Sequence, residues 1–328
     1  ASPNRKMSCL NISENSWRKA TKRNFAGIVK GSRGRSEVIE MKNIFDSTKI
    51  KNLKLKNRLF RSATWEALAD ENGHFDEEIY RIYDELAAGG VGCIISGFTS
   101  VSDNDHYFGG MARLSNDGLI AEHKRLVNTV HAHHVPIIAQ LALGEYQNKE
   151  ISELTDSDID TIREMFISAA DRAVLAGYDG VQIHAAHGFF LSRYISPAHN
   201  RRANPEQLII DIAKAVRERH PELHITMKIN SSDFTFGGLD EKGSMRICLA
   251  CAPYLDSIEV SGNGTSVGGI RAGVNEAYFK NFALALAEKV DIPVILVGGH
   301  RSIDNMNNVL NEGEDRISLA VPSANKRA

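Results

Sequence analysis

From residue 42 onward the chain alternates between two hydrophobic rhythms. Short strand candidates, some nearly all apolar and some with polar residues interleaved, recur at 58–64, 91–97, 136–141, 180–184, 224–228, 257–261, 294–297 and 316–320. Between them lie longer stretches in which apolar residues return every three or four positions, at 77–88, 121–133, 158–176, 205–217, 275–289 and 303–312. The first rhythm predicts strands buried on both faces, the second amphipathic helices. The longest helical stretch carries Ile159, Ile162, Met165, Phe166, Ala169 and Ala173 on one face, with Thr155, Asp156 and Ser157 before it as N-cap candidates. Strands alternating with helices in this way predict an α/β fold of the (β/α)8 TIM-barrel type, in which functional groups gather at the C-terminal strand ends. A doubly wound open sheet is the alternative, weakened because no G-x-G-x-x-G follows the first strand. Residues 47–56 alternate with period two and predict a hairpin over the barrel bottom. The chain stops eight residues after the last predicted strand, so the eighth helix is expected to be missing or displaced. A basic helix over 17–29 could take its place, as in a circular permutation.

Composition adds bounds. The chain has 328 residues, a net charge of −2 and 42% hydrophobic residues, an ordinary balance that calls for neither nucleic acid nor membrane. Charge is uneven: residues 1–40 hold nine Lys/Arg against three Asp/Glu. They are expected to be a basic extension apart from a barrel domain over 41–328, with Met41 resembling a natural start. That extension lacks a secretory h-region and reads as a tag, linker or irregular segment, or as an organelle-targeting segment. Four cysteines suit a reducing, cytoplasmic setting. Cys248 and Cys251 form a C-x-x-C within a helical pattern and read as packing residues, with redox or metal chemistry as the alternative. His131, His133 and His134 read as a surface cluster on the N-terminal side of the barrel, with metal binding as the alternative. No metal is expected.

The chemistry sits at predicted strand ends. In V-Q-I-H-A-A-H-G, a buried strand ends by presenting His184 and His187, two imidazoles able to donate to one carbonyl or phenolate oxygen without adding a fixed charge. Gln140 can meet the edge of a heterocycle. Lys228 points into the mouth and needs a negative partner if buried. Gly97 leaves room for a flat ligand. Gly298, Gly299, His300 and Arg301 form a turn after the seventh strand, where barrels bind phosphate, although a plain tight turn has the same sequence. Asp103, Asp105 and His106 are expected near the entrance.

Together these stretches resemble the Old Yellow Enzyme family of FMN-dependent oxidoreductases, over roughly residues 42 to 321, in its NADH:flavin oxidoreductase branch. The resemblance rests on N-R-L-F-R-S-A-T-W-E from Asn57, on Gln140-Leu141, on residues 177–188 and on Ser196-Pro197 with Asn200. Lys228 to Asp233, Val260-Ser261-Gly262 and Val297 to Gly299 complete it in family order. It implies FMN across the mouth, lined by Ser62, Ala63, Thr64, Gly97 and Ala320. Gln140 would lie at the pyrimidine edge, Lys228 near N1 and O2, and the 298–301 turn at the phosphate. It implies hydride passed from NADH or NADPH through flavin N5 to an activated alkene, quinone or flavin acceptor, whose oxygen His184 and His187 hold. Trp65 and Phe189 would line the substrate pocket. The partner is then a small-molecule electron acceptor, with homo-oligomerisation left open.

The chain departs from the family at several positions. Phe189 stands where the family usually has a proton-donating tyrosine, Trp65 where a threonine or cysteine tunes the flavin, and Val321 where an arginine grips the phosphate. The loop after Asn200 is short. A catalytically impaired flavin- or phenol-binding barrel is therefore the alternative. A phosphosugar isomerase is a third reading, and Glu259 is its nearest candidate base, although it lies within a strand.

Overall fold

The computed structural model describes residues 26–30, 36–263, 270–313 and 316–322. Its strands run β1 (Ala26–Lys30), β2 (Ser36–Glu40), β3 (Thr48–Ile50), β4 (Leu53–Leu55), β5 (Leu59–Ser62), β6 (Cys93–Ser100) and β7 (Ala112–Arg113). They continue with β8 (Ile137–Ala142), β9 (Gly180–Ala185), β10 (His224–Asn230), β11 (Ser257–Ser261), β12 (Val294–Leu296) and β13 (Ile317–Pro322). Going round, β5, β6, β8, β9, β10, β11, β12 and β13 pair in parallel, and β13 returns to β5. That closure makes an eight-stranded barrel and leaves no open edge between those strands. Helices α1 (Glu77–Ala88), α2 (Ile120–His131), α3 (Asp156–Ala176), α4 (Phe190–Tyr194), α5 (Gln207–Arg219), α6 (Glu241–Cys251), α7 (Lys280–Ala287) and α8 (Ile303–Glu312) surround it.

Local chemistry accounts for the elements. Thr155 caps α3 in a reciprocal capping box with Asp158, and Gly177 ends it with φ 93°. On β9, Gln182 bonds to side chains of β8 and β11, which puts one parity of residues toward the barrel axis. Val181 and Ile183, of the other parity, join the main hydrophobic core. The 47–56 segment forms the β3–β4 hairpin with Ile50, Leu53 and Leu55 buried. It covers the N-terminal strand ends, where Asn52 bonds the Glu222 carbonyl and Lys51 pairs with Asp256 at 3.1 Å. The chain entering this hairpin is tied to α8 through Lys42 N to Asn311 Oδ1 and Ile44 N to Asn307 Oδ1, both 2.9 Å.

Two expectations change. The predicted helix over 17–29 is not borne out where it is described: Ala26–Lys30 is a strand, paired antiparallel with Ser36–Glu40, and residues 17–25 lie outside the described residues. Gly27, Ile28 and Val29 are poor helix formers, and the last two are β-branched. The helix predicted from 275 begins at Lys280, because the residues before it cross the 298–301 turn. Cys248 and Cys251 are both buried on α6, and burial pushes the Cys248 thiol up to about 12. His131 and His133 each bond a different carboxylate, Asp179 at 2.8 Å and Asp84 at 2.7 Å.

Burial also leaves histidines uncharged. His123 lies between the Tyr178 hydroxyl (2.8 Å) and the Arg113 carbonyl (2.9 Å), and His224 is equally enclosed. Desolvation pushes each pKa down to about 4. The unfolded chain therefore binds more protons than the folded one between about pH 4 and 6.5. Stability is fully present above that window and falls as pH falls through it, by up to about 1.4 kcal/mol per pH unit for each histidine. Urea unfolding at pH 7.5 and pH 5 should show the lower midpoint at pH 5; an unchanged or higher midpoint contradicts this.

Candidate active site

At the C-terminal strand ends, five strands contribute to one buried polar chain. The Glu259 carboxylate on β11 is fully buried. It accepts from the Ser62 hydroxyl at 2.5 Å and from Gln182 Nε2 at 2.8 Å, and it pairs with Lys228 at 3.1 Å. Lys228 Nζ also donates to Ser62 Oγ at 2.9 Å. A carboxylate only accepts, so Gln182 must turn its NH2 toward Glu259 and its oxygen toward Gln140. Gln140 in turn donates from Nε2 to Gln182 Oε1 at 2.7 Å, which leaves its own carbonyl oxygen uncommitted among the described residues. Lys228 has three donors and spends two here, leaving one. The sequence reading of Lys228 asked for a negative partner, and Glu259 is that partner. Its signal was the alternation Ser257, Glu259, Ser261, which puts all three toward the axis.

The imidazoles lie beside this chain. His184 follows Gln182 on the inward face of β9 and is in register with Lys228. His187 sits just past the strand in a left-handed conformation (φ 61°), its N–H bonded to Asn230 Oδ1 (3.1 Å) and its Nε2 to Ser261 Oγ (2.9 Å). The two rings stand edge to face, with centroids 5.3 Å apart. Desolvation, with the Lys228 charge as the second cause, pushes His187 down to about 3. His184 is lowered well below the usual value by burial, then by His187 and Lys228. Both rings are neutral at physiological pH. His184 Nδ1 is buried with no hydrogen-bond partner among the described residues.

Aromatic side chains form the rim. Phe189 packs on His184 at 4.5 Å and on Phe98 at 4.8 Å, and Phe108 links Phe189 (5.8 Å) to Trp65 (5.2 Å). The loop carrying Tyr107 and Phe108 is held by buried Asp105, which accepts from Ser100 Oγ (2.7 Å) and Gly144 N (2.8 Å). Asp105 is thus an anchor beneath the entrance.

Other predicted residues fall into place unevenly. Ser62 belongs to the polar chain, while Ala63 and Thr64 are half-buried beyond it and Ala320 is buried in register with Phe60. Gly97 does not open toward a ligand: a Cβ there would meet Glu66 Oε2 at 2.0 Å and the Thr64 carbonyl at 2.8 Å. Glu66 fills that space because it pairs with buried Arg61 and accepts from the Tyr83 hydroxyl at 3.1 Å. In the 298–301 turn, His300 is buried, while the Arg301 N–H is already bonded to Glu276. Among the described residues no group of three or more His, Cys, Asp and Glu side chains could hold a metal.

Removing the Glu259 charge should be costly, because it strands the buried ammonium. Glu259→Gln should lower unfolding free energy by about 3–5 kcal/mol. Adding Lys228→Met should recover most of the loss, and a double variant no more stable than the single one speaks against the pair as the cause. Denaturant unfolding of both measures this.

The sequence profile of the NADH:flavin oxidoreductase / NADH oxidase family, an FMN family, matches residues 43–152 and 142–321. An NADH-dependent flavin oxidoreductase of Hypocrea jecorina (iliE) is 27% identical over 337 residues, covering 83% of this chain and 84% of the relative. An NADPH dehydrogenase of Clostridium acetobutylicum is 26% identical, covering 84% of this chain and 90% of the relative. The solved Old Yellow Enzyme from Pichia sp. AKU4542 superposes with a TM-score of 0.70 at 17% identity, over 85% of this chain and 83% of that one. The chain spans about half the length of several longer proteins that it also matches. No described helix is long and apolar enough to cross a membrane. The family match runs through the barrel from the approach to its bottom hairpin to its last strand, and the chain belongs to the NADH:flavin oxidoreductase / NADH oxidase family.

Proposed function

We propose that the barrel mouth holds FMN and that electrons from NADH or NADPH pass there to a small acceptor whose carbonyl or phenolate oxygen rests against His184 and His187. The observation that carries this is the pair of uncharged imidazoles, 5.3 Å apart, beside a buried ammonium. Bound FMN supplies the capacity to accept and release hydride. The residues present suit it: the free carbonyl oxygen of Gln140 matches an imide N–H, and the third donor of Lys228 matches an oxygen that gains negative charge on reduction. Ser62 and Glu259 hold that ammonium in place, Ala63 and Thr64 would line a bound flavin, and Trp65 would line the substrate pocket.

The imidazoles act as neutral donors. They stabilise negative charge on the acceptor oxygen as it develops and add no fixed charge to the ground state. Phe189 packs where the family usually has a tyrosine and has no proton to give. Acceptors that take their protons from water, such as quinones and free flavins, therefore suit this site better than alkenes that need an α-carbon protonated. The same residue favours a second reading, a flavin- or phenol-binding barrel with little turnover.

Purified protein should be yellow, and its flavin absorbance should bleach anaerobically with NADH or NADPH. Yellow protein that does not bleach selects the binding barrel, and colourless protein that cannot take up FMN removes both readings. His184→Ala with His187→Ala should lose the phenol charge-transfer band while keeping bound FMN; a retained band contradicts the role of the pair. Because His187 is depressed to about 3 and His184 is lowered too, phenol binding should show no protein titration near pH 6.5. Phe189→Tyr should speed alkene turnover by about 10²-fold, and an unchanged rate would mean that another donor already serves.

A further inference from the structure

The Gly298-Gly299-His300-Arg301 turn reads as an anion seat, yet a carboxylate of this chain is already in it. Residues 270–279 cross this turn as a strap on the way to α7. From the strap, Glu276 Oε2 accepts the N–H of Arg301 at 2.5 Å and of Ser302 at 3.0 Å, while Oε1 accepts the Ser302 hydroxyl at 2.5 Å and the Gly273 N–H at 2.7 Å. The Arg301 and Ser302 donors stand at the start of α8, where the helix favours negative charge, while the Gly273 N–H belongs to the strap itself. Burial opposes the charge on Glu276, but the hydrogen bonds from Ser302, Gly273 and Arg301 outweigh it and hold the carboxyl below its usual range.

The two glycines are a separate observation. Gly299 has φ 70°, and a Cβ there would meet Tyr278 Cε1 at 2.7 Å and Ile270 Cγ2 at 3.2 Å. Gly298 lies under the strap backbone and accepts the Tyr278 N–H at 3.3 Å. The bare backbone that would let a phosphate approach is packed against the strap instead. Nor does β13 add a cation at its end, since Ala320 is followed by Val321 and Pro322. The Arg301 guanidinium bonds its neighbour's own carbonyl, His300 O, at 2.9 Å.

We propose that Glu276 is an internal counterpart of a phosphomonoester: the strap fills the anion seat, and a phosphorylated ligand has to displace a carboxylate that a neutral-tailed ligand leaves alone. This rests on the flavin reading of the mouth. It assigns the chain a weak preference for FMN over riboflavin, and it makes Glu276 the residue that sets that preference. A dianion and a carboxylate cannot share the three donors of Arg301 and Ser302, because like charges at that separation repel. Neutralising Glu276 removes the competitor and keeps an acceptor oxygen at the start of α8.

The test is fluorescence titration of the flavin-stripped full chain with FMN and with riboflavin, for the wild type and Glu276→Gln. The wild type should bind FMN no more than about tenfold more tightly than riboflavin. Glu276→Gln should tighten FMN by about fivefold or more and leave riboflavin within about twofold. A wild-type preference for FMN above tenfold overturns the proposal, as does a variant whose FMN affinity is unchanged or weaker. The wild-type ratio decides alone if the variant does not fold. Binding of neither flavin by the wild type overturns the flavin reading itself and this inference with it.

Discussion

The mouth of this barrel depends on one carboxylate. Glu259 is fully buried in the barrel, and three side chains from three other strands, Ser62, Gln182 and Lys228, turn toward it. An isolated buried ammonium would be strongly unfavourable, and an isolated buried carboxylate equally so. Paired and hydrogen-bonded, they set a direction for every polar group connected to them. The carboxylate accepts, so Gln182 donates; Gln182 then accepts, so Gln140 donates and shows an oxygen outward. The chemistry on offer at the mouth is settled by a residue that need not touch a ligand.

Neutrality is the second consequence of burial. His184 and His187 lie beside the Lys228 charge in a dry site, and both effects favour the uncharged ring. The aromatic rim of Trp65, Phe98, Phe108 and Phe189 limits water on the other side. Two neutral imidazoles, one spare ammonium proton and one uncommitted amide oxygen are what the described side chains offer at the mouth. Phe189 helps to build the rim and carries no hydroxyl, so this position serves packing and supplies no proton.

Opposite ends of the mouth differ in what they leave open. Around Lys228 and Gln140 a donor and an acceptor remain uncommitted among the described residues. At the other end the turn after β12 bonds Glu276, and the bareness of Gly299 admits Tyr278 and Ile270. Gly97 tells the same story on β6, where the absent side chain makes room for Glu66. A glycine marks a close approach. What approaches is a matter for the fold, and in both places it is the chain itself.

The sequence alone determined the order and kind of the barrel's strands and longer helices and the strand-end positions of His184, His187, Gln140 and Lys228, although it misread residues 26–30, a strand, as helix. These follow from short-range periodicity: buried parallel strands are apolar without a break, amphipathic helices repeat every three to four residues, and capping residues mark their starts. Only the tertiary structure decided which polar groups meet. Ser62 and Glu259 are 197 positions apart, and Arg301 and Glu276 are 25 apart across a strand and a helix. Such pairs form when the ring of strands closes and the loops fold over it, and no local pattern encodes the partner. For that reason Lys228 was legible as a buried charge in need of an anion, while Glu259 as that anion, Glu66 beside Gly97 and Glu276 on the phosphate-like turn became visible only in three dimensions.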